Sequence, residues 1–305
     1  MKKILITGAN GLLGQKLVKL LAQKKDIILI ATARGKHRFV VPPNVSFQSL
    51  DVTNSNECTK VIRQNSPDSI IHAAAITQVD ACETEQESCD NININGVANL
   101  IKAIGNKDIH LVHISTDFIY KGDQEEYFED SSVNPLSYYG ASKWKSEQLF
   151  ENVSFPFSIL RTVLVYGVLE DLSRSNIVLW AKSSLEKGNT INVVDDQFRC
   201  PTLVEDLAIA CADVIHAKAF GVYHVAGKDF LSILELVYQI ADFWGLDKSL
   251  INPIKTSSLN QAAVRPKSTK LNINKAIKQF RYQPRSFHDG LALVEKQLQN
   301  LNQHK

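Results

Sequence analysis

The chain has 305 residues, with 34 Lys+Arg against 32 Asp+Glu, 44% hydrophobic and 22% charged residues. So much apolar surface excludes intrinsic disorder, and 14 Gly and 9 Pro are too few for a collagen or low-complexity chain. A formal charge of +2 argues against nucleic acid as the main partner, because phosphate binding needs a concentrated basic face.

Taken in order, short apolar runs alternate with longer amphipathic stretches. Strands are expected at 4–7, 27–32, 46–50, 69–72, 110–115 and 157–165, and helices at 12–23, 55–64, 88–105 and 138–150. Several strand runs are continuously apolar, as strands covered on both faces require. The alternation predicts an α/β fold: a doubly wound parallel Rossmann sheet with right-handed crossovers and a smaller C-terminal substrate-binding domain. The second half predicts a helix at 203–215, a strand at 221–225, a helix at 233–244 stopped by Gly245, a loop at 255–270 and a helix at 273–280. The expected division is a cofactor domain of 1–165 with a returning segment at 196–228, and a substrate domain of 166–195 and 229–305.

No apolar run reaches the roughly 18 residues of a membrane helix. Met1 to Ile6 briefly imitates a signal peptide, but the run breaks at Thr7-Gly8-Ala9-Asn10-Gly11, so a buried strand is expected instead. The cysteines at 58, 82, 89, 200 and 211 are odd in number and scattered, without a Cys-x-x-Cys pair. That pattern predicts free thiols in a reducing cytoplasm, with no zinc site or disulfide framework. No metal is expected: His72, His110 and His113 lie in strand runs and read as core or pocket-edge groups.

The first strand runs into Gly8-Ala9-Asn10-Gly11-Leu12-Leu13-Gly14. Glycines at this spacing allow a tight turn, a close approach of backbone to pyrophosphate and close packing of helix on strand. The following helix aims its N–H groups at the phosphates, so Gly8, Asn10, Gly11, Leu12 and Gly14 are expected at a dinucleotide. The second strand ends in Ala31-Thr32-Ala33-Arg34-Gly35, with no carboxylate to bond a ribose 2′-hydroxyl. Arg34 is placed to take a 2′-phosphate, which favours NADP over NAD. Asp51 and Val52 follow the third strand; Asp51 either accepts from the adenine amino group or caps the next helix.

Tyr139 and Lys143 stand four residues apart in an expected helix and so share one face. A nearby cation favours the phenolate; bringing a phenol from about 10 to about 7 takes roughly 4 kcal/mol, to which Lys143 and a positive nicotinamide ring would contribute. The fifth strand ends in Ser115-Thr116-Asp117, where a hydroxyl can bond the reacting oxygen. Ligands gather at such carboxyl ends of parallel strands.

These stretches, with His72-Ala73-Ala74-Ala75 and Asn93-Ile94-Asn95-Gly96-Val97-Ala98-Asn99, resemble the extended short-chain dehydrogenases/reductases across most of the chain. The resemblance implies catalytic roles for Thr116, Tyr139 and Lys143, with Lys143 also touching the cofactor and Ala73, Ala74 and Ala75 lining its ribose side. Within the family the chain is similar to the dTDP-4-dehydrorhamnose reductase group, through Ile76-Thr77-Gln78-Val79-Asp80, Asp117-Phe118-Ile119-Tyr120, Asp196 to Thr202 and Arg265-Pro266-Lys267-Ser268. That similarity implies NADPH reduction of the 4-keto group of a nucleotide-linked deoxy sugar, protonated by Tyr139, with Thr77, Val79, Asp117, Phe118 and Leu164 near the sugar. Leu164 stands where the group commonly has Trp, and Asn272 where it has Asp. Arg265 would bind the substrate diphosphate or form an interdomain ion pair. Two alternatives remain: a sugar-nucleotide 4-epimerase, and an NADP-binding regulatory subunit resembling the methionine adenosyltransferase β subunit. Phe118, in the place of a dehydratase's Glu, counts against 4,6-dehydration. A homodimer is compatible with all of these.

Overall fold

The computed structural model describes residues 1–170 and 175–303. The first half builds β1 (Lys2–Thr7), α1 (Leu12–Leu21), β2 (Ile27–Ala33), β3 (Val45–Ser49), α2 (Ser55–Asn65), β4 (Ser69–His72), α3 (Val79–Thr84), α4 (Gln86–Asp90), α5 (Gly96–Ile104), β5 (His110–Thr116), α6 (Tyr138–Gln148) and β6 (Phe157–Thr162). The second builds β7 (Val165–Tyr166), α7 (Ile177–Glu186), β8 (Ile191–Val194), β9 (Phe198–Arg199), β10 (Thr202–Leu203), α8 (Val204–His216), β11 (Gly221–His224), β12 (Leu231–Ser232), α9 (Ile233–Trp244), β13 (Ile251–Ile254), α10 (Asn274–Phe280) and α11 (Phe287–Gln303).

Seven strands form one parallel sheet in the order β11-β6-β5-β4-β1-β2-β3. Alternation of Cβ direction sorts each apolar strand between two cores. Ile4 and Ile6 of β1, Ile71 of β4 and Val112 of β5 pack with Leu17, Leu207 and Cys211 from α1 and α8. Their neighbours Leu5, Ile70 and Leu111 pack on the opposite face with Val61, Val97 and Leu100 from α2 and α5. A third core, built around Val178, Leu236, Ile240, Leu291 and Val294, belongs to the second half. The sheet matches the expected doubly wound architecture. Three two-stranded sheets, β7 with β10, β8 with β13 and β9 with β12, complete the second half.

Several boundaries differ from expectation. The sixth strand ends at Thr162, because Leu164 adopts φ 37° and turns the chain before β7. The helix expected at 88–105 is three pieces: α4, a π-helical turn over Asn91–Asn95, and α5. The extra residue in that turn swings Asn93 inward, where it is 1% exposed. Helices α7 and α11 were not among the expected elements, nor was α3. Of the segment 166–195, residues 171–174 lie outside the described ones. Gly245 does end α9, at φ 63°, and a capping box of Ser232 and Glu235 starts it. Among the described residues, no helix is long and apolar enough to cross a membrane.

Candidate active site

The loop after β1 is fixed by two backbone approaches. Gly8 has φ 70°, and a Cβ there would stand 2.6 Å from the Ala74 nitrogen and 2.7 Å from the Ala73 carbonyl carbon. The start of α1 therefore lies directly against the end of β4, which brings Ala73, Ala74 and Ala75 to the glycine loop. Gly11 occupies the N-cap of α1 with no side chain capping the helix, so its first N–H groups are open to an anion. The Asn10 side chain donates to the Lys36 carbonyl and accepts from the Arg38 N–H, at 2.9 Å each. It thereby ties the basic loop after β2 to the glycine loop. Arg34 in that loop is exposed and, among the described residues, has no ion-pair partner. These features fit a dinucleotide: a cradle without side chains, an uncapped helix end and a free guanidinium beside them.

Asp51 does not cap α2. Its Oδ1 accepts from the Thr53 N–H and hydroxyl at 3.0 and 2.8 Å, while the cap is Asn54, which accepts from Asn56 and Glu57. The capping alternative is thus corrected: Asp51 closes an Asx turn just ahead of the cap, and the helix starts at Ser55 as expected. Val52 is buried against α5, where a Cβ on Gly96 would come within 3.0 Å of its Cγ2.

Thr116, Tyr139 and Lys143 all stand at the carboxyl end of β5. Ser137 caps α6 by accepting from the Gly140 N–H at 3.2 Å. The first turn of α6 then packs so closely on the turn after β5 that a Cβ at position 140 would overlap the Phe118 carbonyl. Glycine between the aromatic and the rest of the helix is what lets Tyr139 reach Thr116. The Phe118 ring meets the Tyr139 ring edge-on, with centroids 5.7 Å apart. Burial pushes the Tyr139 phenol well above its ordinary range, and the Thr116 hydroxyl pulls part of that shift back.

Lys143 departs from expectation. Its ammonium makes a contact that the helical face does not suggest, 3.2 Å from Nε2 of His113 on β5. The lysine is 2% exposed, and a buried ammonium must find an acceptor. Burial lowers Lys143 to about 8, with Glu147 and Cys89 pulling upward. Behind it, Glu147 forms a buried ion pair with Arg161 at 2.7 Å and accepts from Ser115.

Two residues expected near substrate are held by the protein. Asp117 is 1% exposed, accepts from the Thr269 hydroxyl at 2.5 Å and pairs with Arg199 at 3.7 Å. Burial raises its carboxyl despite that pairing. Arg199 also donates to the carbonyls of Phe198, Pro266 and Lys267, and its guanidinium lies 5.8 Å from the Phe118 ring centre. Charge pairing thus anchors the 265–269 loop beside the catalytic turn. Arg265 binds Asp80 at 2.6 Å, so of its two expected roles the ion pair is the one formed here. Thr77 is exposed and Val79 opens α3. Leu164 is half-buried, bridging the second-half core and the cluster of Tyr120, Tyr127 and Leu271.

Sequence reasoning did not single out Arg199, Asn93 or Glu147. Asn93 bonds both backbone groups of Ile76 and the Ser142 hydroxyl, joining the cofactor wall to α6. Ser142 in turn donates to the Tyr139 carbonyl. Asn93 and Arg199 lie in stretches that carry the family resemblance, while Glu147 sits on a polar helix with no local signal. Among the described residues no three His, Cys, Asp or Glu side chains converge on a metal position.

Comparison with known proteins adds the lineage. The chain is 30% identical over 306 residues to dTDP-4-dehydrorhamnose reductase from Aggregatibacter actinomycetemcomitans, covering 96% of this chain and 98% of that one. It is 27% identical over 279 residues to methionine adenosyltransferase 2 subunit beta from Bos taurus, covering 90% and 81%. The crystal structure of dTDP-4-dehydrorhamnose reductase from Bacillus anthracis in complex with NADP superposes with a TM-score of 0.83 at 30% identity, over 97% of this chain and all of that one. A family profile described as the RmlD substrate binding domain matches residues 1–300. With that match and a site of this geometry, the chain belongs to the RmlD-like group of extended short-chain dehydrogenases/reductases.

Proposed function

We propose that the chain is a sugar-nucleotide oxidoreductase that reduces the 4-keto group of a nucleotide-linked deoxy sugar with NADPH, as a dTDP-4-dehydrorhamnose reductase does. The observation that carries this reading is the buried Thr116–Tyr139 pair at the strand ends, beside an uncapped helix and a free Arg34. NADPH, when bound, supplies the hydride. The glycine loop and the α1 N-terminus take its pyrophosphate, Arg34 its 2′-phosphate, and Ala73 to Ala75 its ribose side. Thr116 orients the keto oxygen, and the Tyr139 hydroxyl donates a proton to it. Lys143 supplies a positive charge that stabilises the phenolate left behind. Phe118, Leu164, Thr77 and Val79 wall the sugar, while Asp117 acts through Arg199 and Thr269, and Arg265 through Asp80. The expected domain division is part of this proposal, as are a cytoplasmic setting, supported by five buried free thiols, and a homodimer, checked by sedimentation.

The test follows NADPH absorbance across dTDP-, UDP- and GDP-linked 4-keto sugars. Turnover with one of them is the expected result. Silence throughout, with NADPH binding demonstrated, favours the second reading, a cofactor-binding regulatory subunit. Leu164 in the place of an aromatic wall and the likeness to the methionine adenosyltransferase subunit support that second reading.

Cofactor choice gives a separate prediction. NADPH should bind more tightly than NADH, and Arg34→Asp should reverse the order, because a carboxylate there repels the 2′-phosphate and bonds a 2′-hydroxyl. Titration of both cofactors by fluorescence decides it; equal affinities in the unaltered protein would remove Arg34 from the cofactor site.

A further inference from the structure

Strands β1, β4 and β5 run side by side at the sheet centre, in a register that aligns Thr7 with His72 and His72 with His113. All three are polar and buried, at 1%, 2% and 0% exposure. Thr7 Oγ1 lies 2.7 Å from His72 Nδ1, and the His72 ring stacks on His113 with centroids 5.6 Å apart and planes 17° from parallel. His113 Nε2 then meets the Lys143 ammonium. One end of this row is the residue preceding Gly8, and the other is the lysine of the active site.

Chemistry fixes the protonation of the row at its lysine end. An ammonium has three donors and no acceptor, so Nε2 of His113 must accept and the ring is neutral with its proton on Nδ1. Burial and the neighbouring Lys143 charge keep it neutral. Among the described residues, His113 Nδ1 and His72 Nε2 have no protein partner. The His113 ring is therefore held by stacking and by Lys143, while the Ser146 hydroxyl, 3.0 Å from Nε2, gives its proton to the Lys143 carbonyl at 2.7 Å. Other charged or titratable groups facing Lys143 are Glu147 and Tyr139 on its own helix, Cys89 from α4, and His72 behind His113.

We propose that His113 is a positioning residue for the reaction, accepting one Lys143 N–H so that the remaining two point toward the phenol and the cofactor ribose. This rests on the reductase reading for its catalytic consequence, though not for its effect on cofactor binding. A core histidine with only a packing role would be indifferent to the loss of its nitrogen lone pair.

His113→Phe keeps the ring volume and the stack and removes the acceptor. Losing one hydrogen bond to a charged group should lower kcat about 10-fold with KM for the sugar within about 2-fold. The ammonium, less well accommodated, should lose its proton at lower pH, so the alkaline limb of kcat should move downward by about one pH unit. The fall of NADPH affinity at alkaline pH should move in the same direction. His113→Gln, which offers an amide oxygen, should recover kcat to within about 3-fold of the unaltered protein. Should the Phe variant fail to melt cooperatively, His113→Met replaces it as the apolar variant. An unshifted profile, or equal impairment by Gln and the apolar variant, overturns the proposal. If the unaltered protein reduces no keto sugar, the reductase reading fails, and the pH dependence of NADPH affinity still decides the role of His113.

Discussion

Replacing Tyr139 by Phe is expected to lower kcat about 10²-fold or more, the scale of general acid catalysis, while leaving NADPH affinity within about 2-fold. The hydroxyl is the only group the substitution removes. The ring keeps its edge contact with Phe118 and its place in the cluster with Cys82 and Cys89. Reduction of a ketone needs a proton donor, and burial that raises the phenol keeps it in the donating form at neutral pH. The proton leaves a phenolate in that same buried place, which is where a nearby cation matters. Lys143, lowered to about 8 by burial, carries its charge below that pH and loses it above. Turnover should therefore fall as pH rises through about 8, and the fall should follow Lys143 rather than the tyrosine. Steady-state kinetics of both proteins over pH 6 to 9.5 measures both effects. A Phe variant with comparable turnover would mean that another group supplies the proton.

The parts of this arrangement written in local pattern were legible in the sequence. The glycine loop needs only strand, turn and helix in succession, and the central strands need only apolar runs of strand length. Helix α11 also has a local pattern, since Phe287, Leu291, Val294, Leu298 and Leu301 recur at helical spacing. What local pattern does not carry is pairing across the fold. Asp117 reads as a cap or a substrate contact until the chain folds Arg199 and Thr269 onto it. Lys143 reads as the partner of Tyr139 because they share a helical face, yet packing of α6 on β5 also brings its ammonium within 3.2 Å of His113. Leu164 illustrates a third kind of blindness. A branched side chain at positive φ contradicts local preference, and only the packing of two cores around it makes that conformation the lower in energy.

The protein should unfold in mild acid, between about pH 4.5 and 5.5, because four histidines are buried neutral. Burial lowers His72 and His224 to about 3 and His110 to about 4, and holds His113 well below 6.5. His224 shows the reason in detail. Its Nδ1–H donates to the Asn272 carbonyl at 3.2 Å, so its Nε2 accepts from the Tyr120 hydroxyl at 2.8 Å. A proton on that nitrogen would face the Arg161 guanidinium, which already donates to Tyr120. The sign follows from these depressed values. Above about 6.5 both folded and unfolded chains hold these rings neutral, and nothing is lost. As pH falls below that, the unfolded chain takes up protons that the folded chain refuses, at about 1.4 kcal/mol per pH unit for each ring. Four rings over one and a half units amount to about 8 kcal/mol at most, comparable with the ~5–15 kcal/mol of a typical fold. Asp117 and Asp206, whose carboxyls burial pushes up, bind protons first in the folded state and offset part of this. Circular dichroism against pH gives the midpoint. His110→Asn removes one titrating ring next to Ser158 and should move the midpoint to lower pH relative to the variant's own stability at pH 7. A native spectrum retained at pH 4 would show that these rings accept protons in place.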